Sequence, residues 1–520
     1  MKRRTTFPVQ ALRLGFLAVA AAGLALASMR AIALVYAPYE LDYGEGIIAW
    51  QARQLESLSR AYRPLATYPF LVFHYPPIYH YAMRLAGHLT GDFILAGRWI
   101  SAASALLIAV LFGTMVVRVL PSRLSPWSRM LGAVFAASAA LGLDSMRWVP
   151  AARVDLLGLL LTFSGIWLLA CGPFRLSVHL IAFAFFVAAL YTKQTLLAAP
   201  LAGLLLLLIV RPRRALAMAA WCVGLGGGIF WGLYYVTGGE VLRHLLLYNR
   251  NPFSWRFALE ALGGNLHEVL LLALGTSAAT AALVARARPP VPGFVHRLRG
   301  LILISRRRRA IALCGLHLGL ALVIALSAGK EGSNYNYFLE WNLAACPVSG
   351  ILLASAVKAC ARRKRMSSAT IAVILAAAVV LGDQTFSLLR RANEAVGRSA
   401  AARGELAWKR QTESCLSDFV RRTPGEIVSE QMTVLVRQGR VVPFEPAIIK
   451  VLGQTGAWDE GPALQMLRGK RFTALLLLRD TRRFTPRMLD AIHASYKPAE
   501  TCGGGQWILY RPRPGSSRLD

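Results

Sequence analysis

Glu40, Asp42 and Glu45 crowd into the short stretch PYELDYGEGIIAW (38–50), directly after an apolar N-terminal run. A carboxylate held at the mouth of a membrane cavity can accept a proton from a hydroxyl or amine as that group attacks an electrophile. Gly44 and Gly46 flank Glu45 and let the backbone turn tightly or approach a ligand. Three further polar segments interrupt apolar sequence: DSMRWVPAARVD (144–155), YTKQT (191–195) and GKEGSNYNYFLE (329–340). They offer Arg153 and Asp155, then Lys193, then Lys330, Asn334, Asn336 and Glu340. Cations and amides of this kind suit a phosphate, which lysine binds as a point charge. Each also has a plain structural reading. The first-loop acids can be solvated, Asp155 can favour a helix N-terminus, and Arg153 can snorkel.

The elements that must position these residues are membrane helices. The chain is 520 residues, 56% hydrophobic and only 16% charged, outside the range of soluble domains. Apolar segments near 12–36, 93–117, 130–147, 154–171, 177–192, 195–210, 215–236, 265–285, 310–328, 339–357 and 367–386 predict about eleven transmembrane helices. The N-terminal run is too long for a secretory signal core and reads as an uncleaved first helix. The stretch 74–92, with Pro76, Pro77, Arg84 and three histidines, predicts an amphipathic helix at the outer interface.

The net charge of +33 does not call for nucleic acid. The basic residues gather in short clusters between apolar runs: KRR (2–4), Arg118/Arg123/Arg129, RPRR (211–214), Arg286/Arg288 with RRRR (306–309), and KACARRKR (358–365). That is the positive-inside pattern. With those clusters and the N-terminus in the cytoplasm, the four polar segments share the outer face. Ionisable groups at membrane depth are tolerated when they pair or line a wet cavity, so a shared, outward-opening cavity is expected, with Tyr43 and Tyr75 in its wall.

The tail, 387–520, holds half of the chain's 26 acidic residues and lacks long apolar runs. GEIVSE (425–430), VVPFEP (441–446), FTALLLLRD (472–480) and QWILYRP (506–512) read as strands, with ALLLL a buried parallel strand. The Ala/Arg-rich 390–405 is the nearest thing to a linker. The expected organisation is an α-helical polytopic membrane domain, 1–386, with outer loop 37–92, and a small extracytoplasmic α/β domain, 387–520. Cys415 and Cys502, alone in a tail on an oxidising side, form a candidate disulfide.

In this order, an apolar helix, an acidic first loop, YPPIYHY, a helix opening ARVDLLGLLL, LYTKQT, GSNYNYFLE and an outer C-terminal domain resemble the GT-C superfamily of membrane glycosyltransferases. The resemblance is to the branch containing protein O-mannosyltransferases and bacterial aminoarabinose transferases, and it covers most of the chain. It implies a bacterial inner-membrane enzyme, a sugar donor linked through phosphate to a polyprenyl lipid, and inverting transfer to a glycan, lipid or protein acceptor, with a first-loop acid as base. Relatives commonly carry Asp–Glu where this chain has Gly44–Glu45, so both Asp42 and Glu45 stand as candidates for the base. Lys193, Arg153 and Lys330 are candidate partners of the leaving phosphate, while Asp155, Asn334, Asn336 and Glu340 line the cavity. No cofactor is certain. Carboxylates with His74 or His80 could ligate a divalent metal ion, though a His among tyrosines is more often a packing residue. A lipid or sugar transporter and a non-catalytic scaffold are the competing readings; paired inverted repeats, which would favour the former, are not evident.

Overall fold

A computed structural model describes residues 7–287, 293–360 and 367–515. The basic clusters at 2–4 and 361–365, together with Arg288, lie outside the described residues. Helices form at every apolar segment named above. Among the described residues, seven are long and apolar enough to cross a bilayer: Leu14–Val35, Phe93–Val119, Pro212–Val236, Trp255–Ala285, Arg306–Gly329, Tyr335–Cys360 and Ser368–Ala395. Asp155–Cys171, Leu176–Leu190 and Ala198–Val210 are apolar but only 17, 15 and 13 residues long. At 1.5 Å per residue they reach roughly 20–25 Å, against a hydrocarbon core of about 30 Å. Helix length and composition therefore support seven of the expected crossings among the described residues.

Local signals set the element ends around the polar loops. Ile78–Thr90 stops at Gly91, whose φ of 75° suits a residue without a Cβ. Asp92 then caps Phe93–Val119, its Oδ1 accepting from the backbone N–H of Ile94 and Leu95 at 2.8 and 3.1 Å. The YTKQT segment breaks 176–210 into two helices, as its polar residues predict. Close packing in the bundle uses small residues. A Cβ on Gly132 would lie 2.4 Å from the Gly350 carbonyl oxygen, and one on Gly350 equally close to that of Gly132, so Pro126–Gly142 and Cys346–Cys360 meet backbone to backbone.

The tail builds a four-stranded sheet in the order β1-β2-β4-β3, with β1 Ile427–Ser429, β2 Ala474–Leu478, β3 Tyr496–Cys502 and β4 Trp507–Pro512. The apolar β2 runs parallel to β1 and antiparallel to β4. VVPFEP is not a strand: Phe444 makes one isolated bridge to Phe70, and Pro446 opens a helix. β3, YKPAETC, escaped the sequence reading because its middle is polar and it lies at the sheet edge. The 390–405 stretch is no linker either; it ends one helix, Ser368–Ala395, and begins another, Ala400–Arg422. A disulfide joins Cys415 to Cys502 with their Cα atoms 5.9 Å apart, pinning the Ala400–Arg422 helix to the sheet.

Tail and first loop share one apolar core. Ile47, Ile48 and Ala52 of the Gly44–Gln54 helix pack with Phe419, Val434 and Leu476 of the tail. The approach is closest at Gly46, where an added Cβ would sit 2.5 Å from the Thr433 backbone nitrogen and 2.7 Å from the Met432 Cβ. Gly46→Val must therefore force the two apart, at about 1–3 kcal/mol or more for an overpacked site. A lowered melting temperature and faster proteolysis of the tail are expected. Gly228→Ala, with nothing within 4 Å of its Cβ position, should change neither.

Candidate active site

The first loop is anchored from beneath by Glu45. Arg98, one turn into Phe93–Val119, gives Nε to Glu45 Oε1 at 2.8 Å and Nη2 to Oε2 at 2.7 Å. Glu45 also accepts from the backbone N–H of Leu41 and Ala152 at 2.8 and 2.9 Å. Both side chains are fully buried. The Glu45 carboxylate thus has four donors and no open approach, the position of a structural anchor.

Above it runs a chain of alternating charge. Asp42 Oδ2 accepts from the Gly44 N–H at 2.9 Å and from Arg153 Nη1 at 2.8 Å. Arg153 Nε is 3.9 Å from Asp155 Oδ2, and Nη2 reaches the Tyr75 hydroxyl at 3.4 Å. Asp155 Oδ1 accepts from Lys193 Nζ at 2.6 Å and from Asn336 Nδ2 at 3.0 Å. The Lys193 ammonium also lies 5.0 Å from the Tyr337 ring centroid. Side-chain exposure falls along this row, from 15% and 18% at Asp42 and Arg153 to 3% and 7% at Asp155 and Lys193. The loops are stitched together independently: Gln194 Nε2 donates to the His74 carbonyl at 3.0 Å, and the Ile78 N–H to that of Tyr191 at 3.1 Å.

Four remote segments therefore converge, but not on the open cavity expected. The space between Asp155, Lys193, Asn336, Tyr337 and Glu340 is about 10 Å³, at most room for one water, because the charged groups fill it with each other. Glu340 lines this space and pairs with His317 at 2.8 Å. Lys330 and Asn334 stand apart. Lys330 bridges to Phe253 through its backbone, and Asn334 caps the next turn by accepting from the Tyr335 N–H at 2.8 Å. His80 Nε2 is 3.1 Å from Gln51 Oε1, and His74 Nδ1 is 3.3 Å from the Val72 carbonyl. No group of three or more His, Cys, Asp or Glu placed to hold a metal forms among the described residues.

Sequence reasoning missed what the tail brings to the site. Arg483 lies 3.8 Å from the Tyr43 ring centroid, and the Tyr43 hydroxyl accepts from the Ala447 N–H at 3.3 Å. Glu445, 6% exposed, has one carboxylate oxygen without a partner. Burial lifts its carboxyl to about 7, Asp42 adds to the shift, and Arg153 and Arg483 oppose it. The available signal was an acid inside the otherwise apolar VVPFEP. Arg98 had one too: an arginine one turn into an apolar helix needs an anion nearby.

No protein-family model matches the chain, and no curated protein matches it in sequence. Among solved structures, it superposes on ArnT from Cupriavidus metallidurans bound to undecaprenyl phosphate with a TM-score of 0.56. The identity is 13%, over 98% of this chain and 99% of that one. The oligosaccharyltransferase of Archaeoglobus fulgidus in its apo form aligns with a TM-score of 0.47 and 12% identity, over 97% of this chain and 75% of that one. The chain shares the fold of that ArnT structure.

The Asp155–Lys193 pair gives a direct test of the cluster. Lys193→Met leaves a buried carboxylate with one cation fewer and should cost about 3–5 kcal/mol. Asp155→Asn together with Lys193→Met should cost less than the sum of the two single changes. Melting temperatures of the four proteins in one detergent complete the cycle; additive losses would mean that the two side chains do not interact.

Proposed function

We propose that this protein is a glycosyltransferase of the bacterial cytoplasmic membrane, moving a hexosyl or pentosyl group from a polyprenyl-phosphate donor to a glycan, lipid or protein acceptor at the outer face. The observation that carries this reading is the gathering of Asp42, Arg153, Asp155 and Lys193 in one row on a GT-C-like fold. The donor class draws support from the ArnT likeness, since that protein was solved with undecaprenyl phosphate.

Transfer is an inverting displacement. The acceptor oxygen bonds to the anomeric carbon, the bond from that carbon to the phosphate oxygen breaks with its electron pair leaving on phosphate, and the acceptor proton passes to a carboxylate. Lys193 and Arg153 are the cations to meet the leaving phosphate, and Asp155 holds both in place. Asp42, at the more open end of the row, is the base; Glu45, closed in by four donors, holds the loop. Lys330 takes no part. The N-terminus and the arginine-rich loops face the cytoplasm, and the tail faces out.

Reconstitution in proteoliposomes with polyprenyl-phosphate sugars tests this. Asp42→Asn should fold normally and lose about 100-fold or more in rate, the usual contribution of a general base. Full activity in that variant would remove Asp42 from the role, while solute flux without sugar transfer would replace the reading by a transporter.

Glu445 gives the site a pH dependence. Its ionisation adds a negative charge near Asp42, which strengthens Asp42 as a base, so the rate should rise as pH passes through about 7. Stability runs the other way. The folded protein holds this proton more tightly than the unfolded chain does, so the stabilisation is complete below the unfolded glutamate value of about 4.3 and is lost as pH rises through about 7. Both trends should flatten in Glu445→Gln, measured as rate and melting temperature against pH; unchanged profiles would assign them to another group.

A further inference from the structure

The Phe93–Val119 helix carries Arg98 near one end and Arg118 near the other, roughly 30 Å apart along its axis. Around Arg118 lies a second, chemically different site. A cavity of about 540 Å³ is lined by Arg118, Arg123, Arg286, Arg306, Arg307 and Arg308, drawn from three separate stretches of the chain. No Asp or Glu lines it, and among the described residues none of the six arginines has a carboxylate partner. Arg118 alone is steadied, 5.2 Å from the Trp167 ring centroid. Its floor is apolar, with Leu283, Ile311 and Leu352. Six like charges in one concavity repel one another, and an anion seated among them relieves that repulsion.

Arg118 also lines the end of a different, apolar cavity of about 610 Å³. This one runs between the Leu14–Val35, Phe93–Val119 and Pro126–Gly142 helices, past Leu24, Leu106, Val110, Val134 and Leu141. An arginine-lined cavity opening beside a hydrocarbon-sized groove, with one arginine common to both, has the shape of a molecule with an anionic head and an apolar chain. A free anion would have no use for the groove, and an uncharged lipid none for the arginines. Basic pockets between membrane helices bind acidic lipid headgroups on these terms.

We propose that this end of the bundle binds an anionic glycerophospholipid, its phosphate among the arginines around Arg306–Arg308 and one acyl chain in the groove beside Arg118. The site stands at the other end of the helix from the Asp42 cluster and takes no part in the transfer chemistry. Its lipid holds the Arg306–Gly329, Trp255–Ala285 and Phe93–Val119 helices together where like charge would drive them apart.

The test uses the full chain in nanodiscs of phosphatidylcholine with increasing phosphatidylglycerol, reading melting temperature, and native mass spectrometry of the protein released in mild detergent. Phosphatidylglycerol should raise the melting temperature and remain bound. Replacing Arg306, Arg307 and Arg308 together by glutamine should lower the retained phosphatidylglycerol about tenfold or more. Should that variant fail to fold, Val110→Trp serves instead: Val110 is 57% exposed on the groove wall, and the indole should fill the groove, cutting retention about threefold or more while the melting temperature in pure phosphatidylcholine stays the same. Phosphatidylcholine retained as well as phosphatidylglycerol would overturn the proposal. So would inorganic phosphate giving the full stabilisation with no effect of Val110→Trp, which would mean a simple anion site. Undecaprenyl phosphate displacing phosphatidylglycerol at equal concentration would assign the site to the carrier lipid and overturn it equally.

Discussion

The bidentate pair between Arg98 and Glu45 is the constraint on which the rest of the site depends. Arg98 spends its remaining donors on the backbone: Nη1 reaches the Ala37 carbonyl at 2.6 Å and Nη2 that of Tyr39 at 2.8 Å. One buried arginine thereby gathers the end of the first long helix, the acidic loop and the start of the Gly44–Gln54 helix. Through Glu45 it also holds the Ala152 N–H, next to Arg153. A buried ion pair is expensive to desolvate and is tolerated only when its other valences are met. Here they are met by backbone groups outside the helices, at Ala37, Tyr39, Leu41 and Ala152. Asp42, three residues before Glu45, and Arg153, one after Ala152, are placed by the same knot.

The charged row follows from that placement. Asp42, Arg153, Asp155 and Lys193 alternate in sign, so each charge is neutralised by its neighbours, and the row as a whole is close to neutral. The deep end is tight because Asn336 and the Tyr337 ring complete the environment of Asp155 and Lys193. The tail closes the structure from the other side. Its apolar residues share a core with the Gly44–Gln54 helix, and Arg483 stacks on Tyr43. Loop and tail are one packed unit, although nearly the whole bundle separates them in sequence.

Much of this was legible in the sequence, and the rest was hidden for physical reasons. Hydrophobic runs gave the helices because apolar length is a strong signal in a membrane protein. Sidedness brought Asp42, Arg153, Asp155 and Lys193 into one group because a membrane reduces three-dimensional proximity to a choice between two faces. That same reduction misled for Lys330 and Asn334: sharing a face does not mean sharing a site, and the Tyr335–Phe338 turn swings Asn336 inward while Asn334 stays out as a cap. Glu45 looked like Asp42 in sequence because spacing records residue type and not the partner beneath. Arg98 stood within a stretch read only for its hydropathy. Glu445 was lost to a strand reading of VVPFEP, where the proline that ends the apolar run starts a helix instead.

Charge balance links the row to the tail under the proposed function. The two acids and two bases already cancel, so a lipid-linked phosphate arriving at Lys193 and Arg153 adds negative charge that nothing in the row offsets. Solvent cannot screen it well, since Asp155 and Lys193 are almost fully covered. The arriving anion must then displace a carboxylate from its cation. Asp42 is the carboxylate best placed to give way, being the more open partner of Arg153. Glu445 acts on the same balance: once ionised, it adds negative charge near Asp42 and strengthens it as a base. Donor binding would in this way free Asp42 from its guanidinium just as the acceptor needs a base. Under that proposal the tail, by contributing Glu445, would belong to the chemistry as well as to the packing.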